Sequence, residues 1–220
     1  MWSAVFLALA ACGNPDDNRM LQLWEALAAR AQEVGDYLPY RVESRTEVRD
    51  GSGATRGTVN EVLVLKKGGE ARGEYDVQRE ETGDPDISVK LRITARSNPF
   101  LAASEGRVRL QRMLPETVAG RCLLRYEFVE VREDKPGAKP VTLEGVAWLD
   151  EATGAPWQVV YRIPKPSSPL KQWELTLLFP SQAAGSPLPQ DVKLEMKGQR
   201  LFWKREVIVT QRLEQWRKTP

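Results

Sequence analysis

Histidine is absent from all 220 residues. That removes His-ligated zinc, Ser–His and Cys–His nucleophile activation, and the commonest general base near neutral pH. Cysteine occurs only twice, too few for a Cys-rich metal site. The glycine-rich phosphate loop, the dinucleotide fingerprint and the G-x-S-x-G nucleophile elbow are all missing. An excess of either charge is missing too: 32 Lys and Arg are scattered among 30 Asp and Glu. Such a balance sets up no field to grip a polyanion, and no basic cluster alternates with aromatics, which argues against nucleic-acid binding. Adjacent carboxylates occur at Glu80-Glu81, Glu133-Asp134 and Asp150-Glu151. Each pair lies near Gly or Pro and reads as solvated turn charge, not as an acid–base pair. The expectation is a non-enzymatic protein with no cofactor, no metal site and no nucleic-acid partner.

What is present is a globular chain, 41% hydrophobic and 28% charged, of a length suited to one core. Its N-terminus carries the apolar run "WSAVFLALAA", Trp2 to Ala11. As a helix this run is ~15 Å long, half of a ~30 Å hydrocarbon core, so it fits a signal-peptide apolar region and not a membrane span. Leu9, Ala10 and Ala11 then precede Cys12, and the polar stretch "GNPDDN" follows. Leu9-Ala10-Ala11-Cys12 resembles the bacterial lipobox, in which the cysteine thiol takes diacylglycerol and the chain is cut just before it. The resemblance implies a signal peptide over 1–11, a lipidated Cys12 with a tether over 12–18, and one domain over 19–220. No Lys or Arg precedes the apolar run, which leads us to expect a true start upstream or a clipped chain. Two or three acyl chains at ~0.8 kcal/mol per buried methylene anchor a protein stably. With Cys12 so committed, Cys122 is expected to be an unpaired structural thiol, on the alternating face of Leu124, Tyr126 and Phe128.

One long helical pattern follows. Met20, Leu23, Trp24, Leu27, Ala28, Ala31 and Val34 make a continuous stripe at 3.6-residue spacing. Asp16, Asp17 or Asn18 can cap its start and Gly35 its end. Its polar side holds as many acids as bases, so it is expected to pack on the protein's own sheet and not on a membrane surface. From Tyr40 the period changes to two. About eleven strands are expected, near 40–49, 57–66, 71–80, 87–95, 107–113, 121–131, 141–149, 156–163, 172–179, 190–197 and 200–210. Short Gly-, Pro- and Asp-rich connections favour antiparallel neighbours. The fold class is therefore mainly β (α+β): an N-terminal amphipathic helix on a strongly curved antiparallel sheet, a half-barrel or incomplete barrel. One helix cannot cover eleven strands, so the sheet either curls around its own side chains or leaves an apolar concavity. Phe128, Trp148, Trp157, Tyr161, Trp173, Phe179 and Trp203 are the candidate lining of such a concavity. Leu23, Trp24, Leu27 and Ala31 are the candidate lid.

A lipobox, one amphipathic helix and a long meander resemble the half-barrel of the lipoprotein-localisation carriers and receptors (Lol type). "EGVAWLDEATGAPWQVVY", Glu144 to Tyr161, is similar to a hairpin of that superfamily, and "VKLEMKGQRLFWKREVIVT" fits its closing strands. The resemblance implies a domain tethered to an envelope membrane, facing the periplasm, whose concave face holds a lipid or acyl chain. Gly13 after the cysteine resembles lipoproteins sorted to the outer membrane. The expected function is handling of an apolar ligand. The alternative is a tethered interaction or scaffold protein with a filled barrel, presenting the Pro-rich loops 164–170 and 180–190 to a protein partner.

Overall fold

The computed structural model describes residues 15–69, 73–84, 91–133, 139–180, 186–200 and 203–219. The helix α1 spans Asp17–Glu33, and the Asp16 side chain caps it by accepting from the Arg19 backbone N–H at 2.7 Å. Its buried residues, Met20, Trp24, Leu27, Ala28 and Ala31, lie on the apolar stripe.

Ten strands follow: β1 Tyr37–Asp50, β2 Thr55–Leu65, β3 Tyr75–Gly83, β4 Val108–Val118, β5 Arg121–Arg132, β6 Val141–Asp150, β7 Pro156–Arg162, β8 Leu170–Leu178, β9 Asp191–Arg200 and β10 Trp203–Lys218. They form one antiparallel sheet in the order β3-β2-β1-β10-β9-β8-β7-β6-β5-β4. The chain is thus a meander cut between β3 and β4, with β1 and β10 paired in register from Tyr37↔Lys218 to Asp50↔Arg205. Among the described residues β3 and β4 are the two edges and do not pair, so the sheet is unclosed.

β1, β5 and β6 alternate as period two requires. On β1, Val42, Ser44, Thr46 and Val48 are buried, while Arg41, Glu43, Arg45 and Glu47 face outward. The outer face is laced with ion pairs such as Arg41–Glu43 at 2.8 Å and Arg162–Glu174 at 2.7 Å. These exposed pairs contribute little stability but keep the face solvated.

Two expectations need correction. Among the described residues the sheet has ten strands, and 91–94, within the stretch expected as a strand over 87–95, belong to none of them. Residues 85–90 lie outside the described residues, and 91–94 form no ladder. Ile93 and Ala95 are nonetheless buried and Leu91 is half-buried. Alternation reports burial of every second residue, and here an extended segment crossing the core satisfies it without a pairing partner. The second correction is another helix, α2 at Pro99–Ser104, after a 3-10 turn at Ala95–Ser97. The Asn98 side chain caps α2 through the Leu101 N–H at 2.9 Å, and Pro99 opens it. The cap followed by Pro at the first helical position was readable in "SNPFLAASEG".

Glu80 and Glu81 also differ from expectation, since they lie within β3 and not in a turn. As successive strand residues they point to opposite faces. Asp150 does serve a turn: its carboxylate accepts from the N–H groups of Ala152 and Thr153 and from the Thr153 hydroxyl.

Candidate functional site

The concave side of the sheet from β5 to β9 is occupied by the protein's own side chains. α1 lies across it, and the Trp24 indole meets Phe100 at 5.1 Å, Tyr126 at 5.2 Å and Phe128 at 5.7 Å between ring centroids. Phe100 continues to Phe179, and Phe128 meets Tyr161 edge-on at 5.5 Å. These separations and tilts are those of favourable aromatic pairs. Gly145 makes room for this arrangement on β6, because a Cβ there would sit 2.1 Å from Phe128 Cζ. The helix is also tied down by a polar contact, the Tyr126 hydroxyl donating to the Met20 carbonyl at 2.8 Å. Burial raises the Tyr126 pKa well above that of an ordinary tyrosine.

The candidate lining residues separate into several environments. Phe128, Tyr161 and Phe179 are buried in this core. Trp173 is partly buried and packs against it, and Trp157 is partly buried at the start of β7. Trp148 faces away: it lies between Ala147 and Leu149, both fully buried, so it is on the outer face. There its indole N–H donates to Glu116 at 2.8 Å. The Trp203 side chain lies outside the described residues, as do Leu9, Ala10, Ala11 and Cys12. Of the candidate lid, Trp24, Leu27 and Ala31 are buried and Leu23 is half-buried. Leu23 rests on the β6–β7 turn, where a Cβ on Gly154 would come within 2.8 Å of Leu23 Cδ2.

Sequence reading missed a buried charge cluster beside this core. Glu130 is fully buried on the same β5 face as Tyr126 and Phe128. Its carboxylate accepts from Arg132 Nε at 2.6 Å, Arg132 Nη2 at 3.1 Å, Arg107 Nη1 at 3.1 Å and the Tyr161 hydroxyl at 2.9 Å. The Arg132 guanidinium also stacks 4.9 Å from the Tyr161 ring centroid and donates to the Ser97 carbonyl at 3.2 Å. Burial, with the Glu130 charge beside it, pushes the Tyr161 pKa well above its ordinary value. Burial opposes the Arg132 charge, but the Tyr161 and Glu130 oxygens outweigh it and keep the group protonated. Every carboxylate oxygen is thus satisfied, and the cluster binds β4, β5, β7 and the segment before α2 into one unit. The readable signal was an acid at the next alternate position of an apolar stripe, with an arginine two residues on.

Asn98 closes the other side of that segment, donating to the Pro187 carbonyl at 2.9 Å. Among the described residues no three His, Cys, Asp or Glu side chains converge to hold a metal ion.

The β2–β3 flank is different in kind. Every residue of β3 after Tyr75 is exposed, on both faces, and Val77 is 53% exposed. Outer depressions lie among the described residues. One of ≈ 680 Å³ crosses β1, β2, β9 and β10 between mixed charges that include Arg45, Lys193 and Asp191. Another, ≈ 410 Å³, lies beside Arg19, Arg121 and Cys122. A third, ≈ 700 Å³, follows the β4 edge along Arg107, Val108, Arg109, Val129 and Val131.

Cys122 overturns an expectation: it is disulfide-bonded and not an unpaired thiol. The sequence holds one other cysteine, Cys12, outside the described residues. The expectation had assigned the Cys12 thiol to lipid, and one sulfur cannot serve both bonds at once.

By fold and site the described residues form an unclosed antiparallel sheet of ten strands whose inner face packs against two helices. No family model matches the chain, and no curated protein matches it. A solved structure of a DUF1329 family protein from Desulfovibrio piger is similar over 90% of this chain and 92% of that one, with a TM-score of 0.36 and 13% identity. A likeness that distant carries no functional argument.

Proposed function

We propose that the protein is a non-enzymatic protein of a bacterial cell envelope, facing the oxidising periplasm, a compartment in which the Cys122 disulfide persists. In this reading its filled half-barrel serves as a docking platform for a protein partner. The observation that carries the reading is the contrast between the two parts of the sheet. The concave surface under α1 and α2 is already occupied by Trp24, Phe100, Phe128 and Tyr161, whereas β3 is bare on both faces. A surface that has met its packing needs internally has nothing to gain from a ligand there, while an edge strand has backbone hydrogen bonds to offer.

In-cell photo-crosslinking from Gln78 of β3 tests this. The expected result is a discrete protein adduct that is missing when the probe sits at Ser52 in the β1–β2 turn. Uniform background from both positions overturns the reading. For the compartment, the expected finding is a Cys122 peptide joined to the Cys12 peptide and released by reductant. A Cys12 peptide whose mass includes diacylglycerol overturns it.

Apolar-ligand handling is the second reading, favoured by the half-buried Leu63 and Tyr75 beside exposed Val77 on one face of the β2–β3 hairpin. Native mass spectrometry distinguishes the two, since co-purified lipid supports a carrier and the bare protein mass supports a platform.

A further inference from the structure

β3 is protected as an edge by charge alone, with Asp76 and Glu80 on its outer face and Arg79 and Glu81 on its inner one. It has no proline, its pairing with β2 runs from Gly57↔Gly83 to Leu65↔Tyr75 without a bulge, and both of its faces are exposed. Its outer face carries Asp76 and Glu80, four residues apart, beside Gln78 and Thr82, and its inner face begins with Tyr75 and Val77. Glu80 makes no ion pair among the described residues.

The opposite edge of the same sheet has the complementary pattern. β4 reads "VRLQRMLPETV", with Val108, Leu110 and Met113 inward, since they pair with Glu130, Phe128 and Tyr126. Arg109 and Arg112 face outward opposite Val129 and Glu127, brought closer together by the bulge between Leu110 and Arg112. Neither arginine makes an ion pair among the described residues. Beside them lies the ≈ 700 Å³ depression, in which Val131 is 46% exposed. Pro115, having no N–H to donate, marks where this edge stops being usable for pairing.

Direction agrees as well as charge. With ten antiparallel strands, the first and last in the order run in opposite senses. A second copy placed alongside, strands aligned, therefore presents its β4 antiparallel to β3, with outer faces on the same side.

We propose that the occupant of the β3 edge is the β4 edge of a second copy of this chain, held by backbone pairing and by Asp76 and Glu80 facing Arg109 and Arg112. This rests on the docking reading and names its partner. The contact is heterologous, so it builds short chains or rings of copies and not a closed two-fold dimer.

The test is sedimentation and light scattering of the purified full-length protein over a range of concentrations. The expected result is self-association that weakens between ~0.1 M and ~1 M salt, as the Debye length falls from about 10 to 3 Å. The pairs D76R/E80R and R109E/R112E each weaken association by on the order of tenfold, from the loss of opposite cross-strand charges. The fourfold variant with both edges reversed regains it, a rescue that a merely misfolded variant does not give. A wild-type protein that stays monomeric throughout, or a fourfold variant no tighter than either pair, overturns the proposal. If the protein is monomeric while Gln78 still crosslinks a different, discrete protein in cells, self-docking fails and the platform reading stands. If neither association nor a discrete adduct is found, both fail.

Discussion

The half of the sheet under the helices and the β2–β3 flank are built from the same alternating pattern yet end in opposite states. On β5, Leu124, Tyr126, Phe128 and Glu130 are all essentially inaccessible to water. On β3, the inner positions Val77, Arg79 and Glu81 are all exposed. Alternation decides which residues share a face, but it does not decide whether anything lies on that face. α1 and α2 cover β5 to β9, and the segment at Leu91 reaches β10 through the Gln211 amide, which donates to the Leu91 carbonyl at 2.9 Å. The amide oxygen of Gln211 is buried there without a hydrogen-bond partner in the structure. Burial of the inner face persists at Val209 on β10, Val48 on β1 and Val59 on β2, and is lost only at β3.

That comparison can be broken most severely at Trp24. Trp24→Ala removes the ring that joins Phe100, Tyr126 and Phe128, and is expected to lower stability by about 3–5 kcal/mol in denaturant unfolding. Val77→Ala on the bare flank is expected to stay within about 0.5 kcal/mol of wild type. Equal losses at the two sites would mean that the flank is covered in solution.

Glu130→Gln is next. It leaves Arg107 and Arg132 beside a neutral amide, and breaking a buried pair costs about 3–5 kcal/mol. Because Arg132 and Arg107 retain 24% and 34% of their side-chain exposure, the lower end of that range is expected. Thermal unfolding checks this, and an unchanged midpoint would show that the cluster is dispensable. Gly145→Ala follows, with an expected loss of about 1–3 kcal/mol from displacement of the Phe128 ring. Near-UV circular dichroism should register the change in aromatic packing even where stability drops little.

Tyrosine titration sharpens the contrast with less perturbation. Burial raises the pKa of Tyr75, Tyr126 and Tyr161 above the ordinary value of ~10. A group with a raised folded pKa contributes stability below its unfolded pKa and loses it as pH climbs toward the folded one. The fold is thus expected to weaken above pH ~10, with tyrosinate absorbance from Tyr126 and Tyr161 emerging only as it unfolds. Smooth titration of all five tyrosines in a still-folded protein would contradict a sealed core.

The smallest effect is expected at the β1–β2 turn. Arg49 and the Thr55 hydroxyl, as donors to Glu47, hold its carboxyl below the usual range, and Ser52, through its hydroxyl and N–H, does the same for Asp50. Depressed folded pKa values give stability that is present above the unfolded values near 4 and is lost as pH falls through the folded ones. Faster amide exchange at Ser52 and Ala54 below pH ~4 is the expected sign, with the core amides of β5 unaffected.

Much of this architecture is legible residue by residue. The stripe from Met20 to Ala31, the alternation on β1 and β5, and the Gly-rich turns each arise from local periodicity, so α1 and ten strand segments are readable without a structure. The lining aromatics were only partly legible. Trp148 sits on the outer face because Ala147 and Leu149 take the inner one, and a list of aromatic residues does not carry that parity. The segment at 91–94 was misread because period two describes extended burial equally well with or without a ladder.

The sequence by itself determined the class of elements, their faces and the absence of histidine chemistry, since these depend on residue type and spacing along the chain. Only the tertiary structure decided that the concave side is filled, that Glu130 meets two arginines and Tyr161, and that β3 and β4 are left as edges. Those outcomes depend on contacts between residues far apart in sequence, such as Trp24 with Phe128 and Gln211 with Leu91, whose closeness no local pattern encodes.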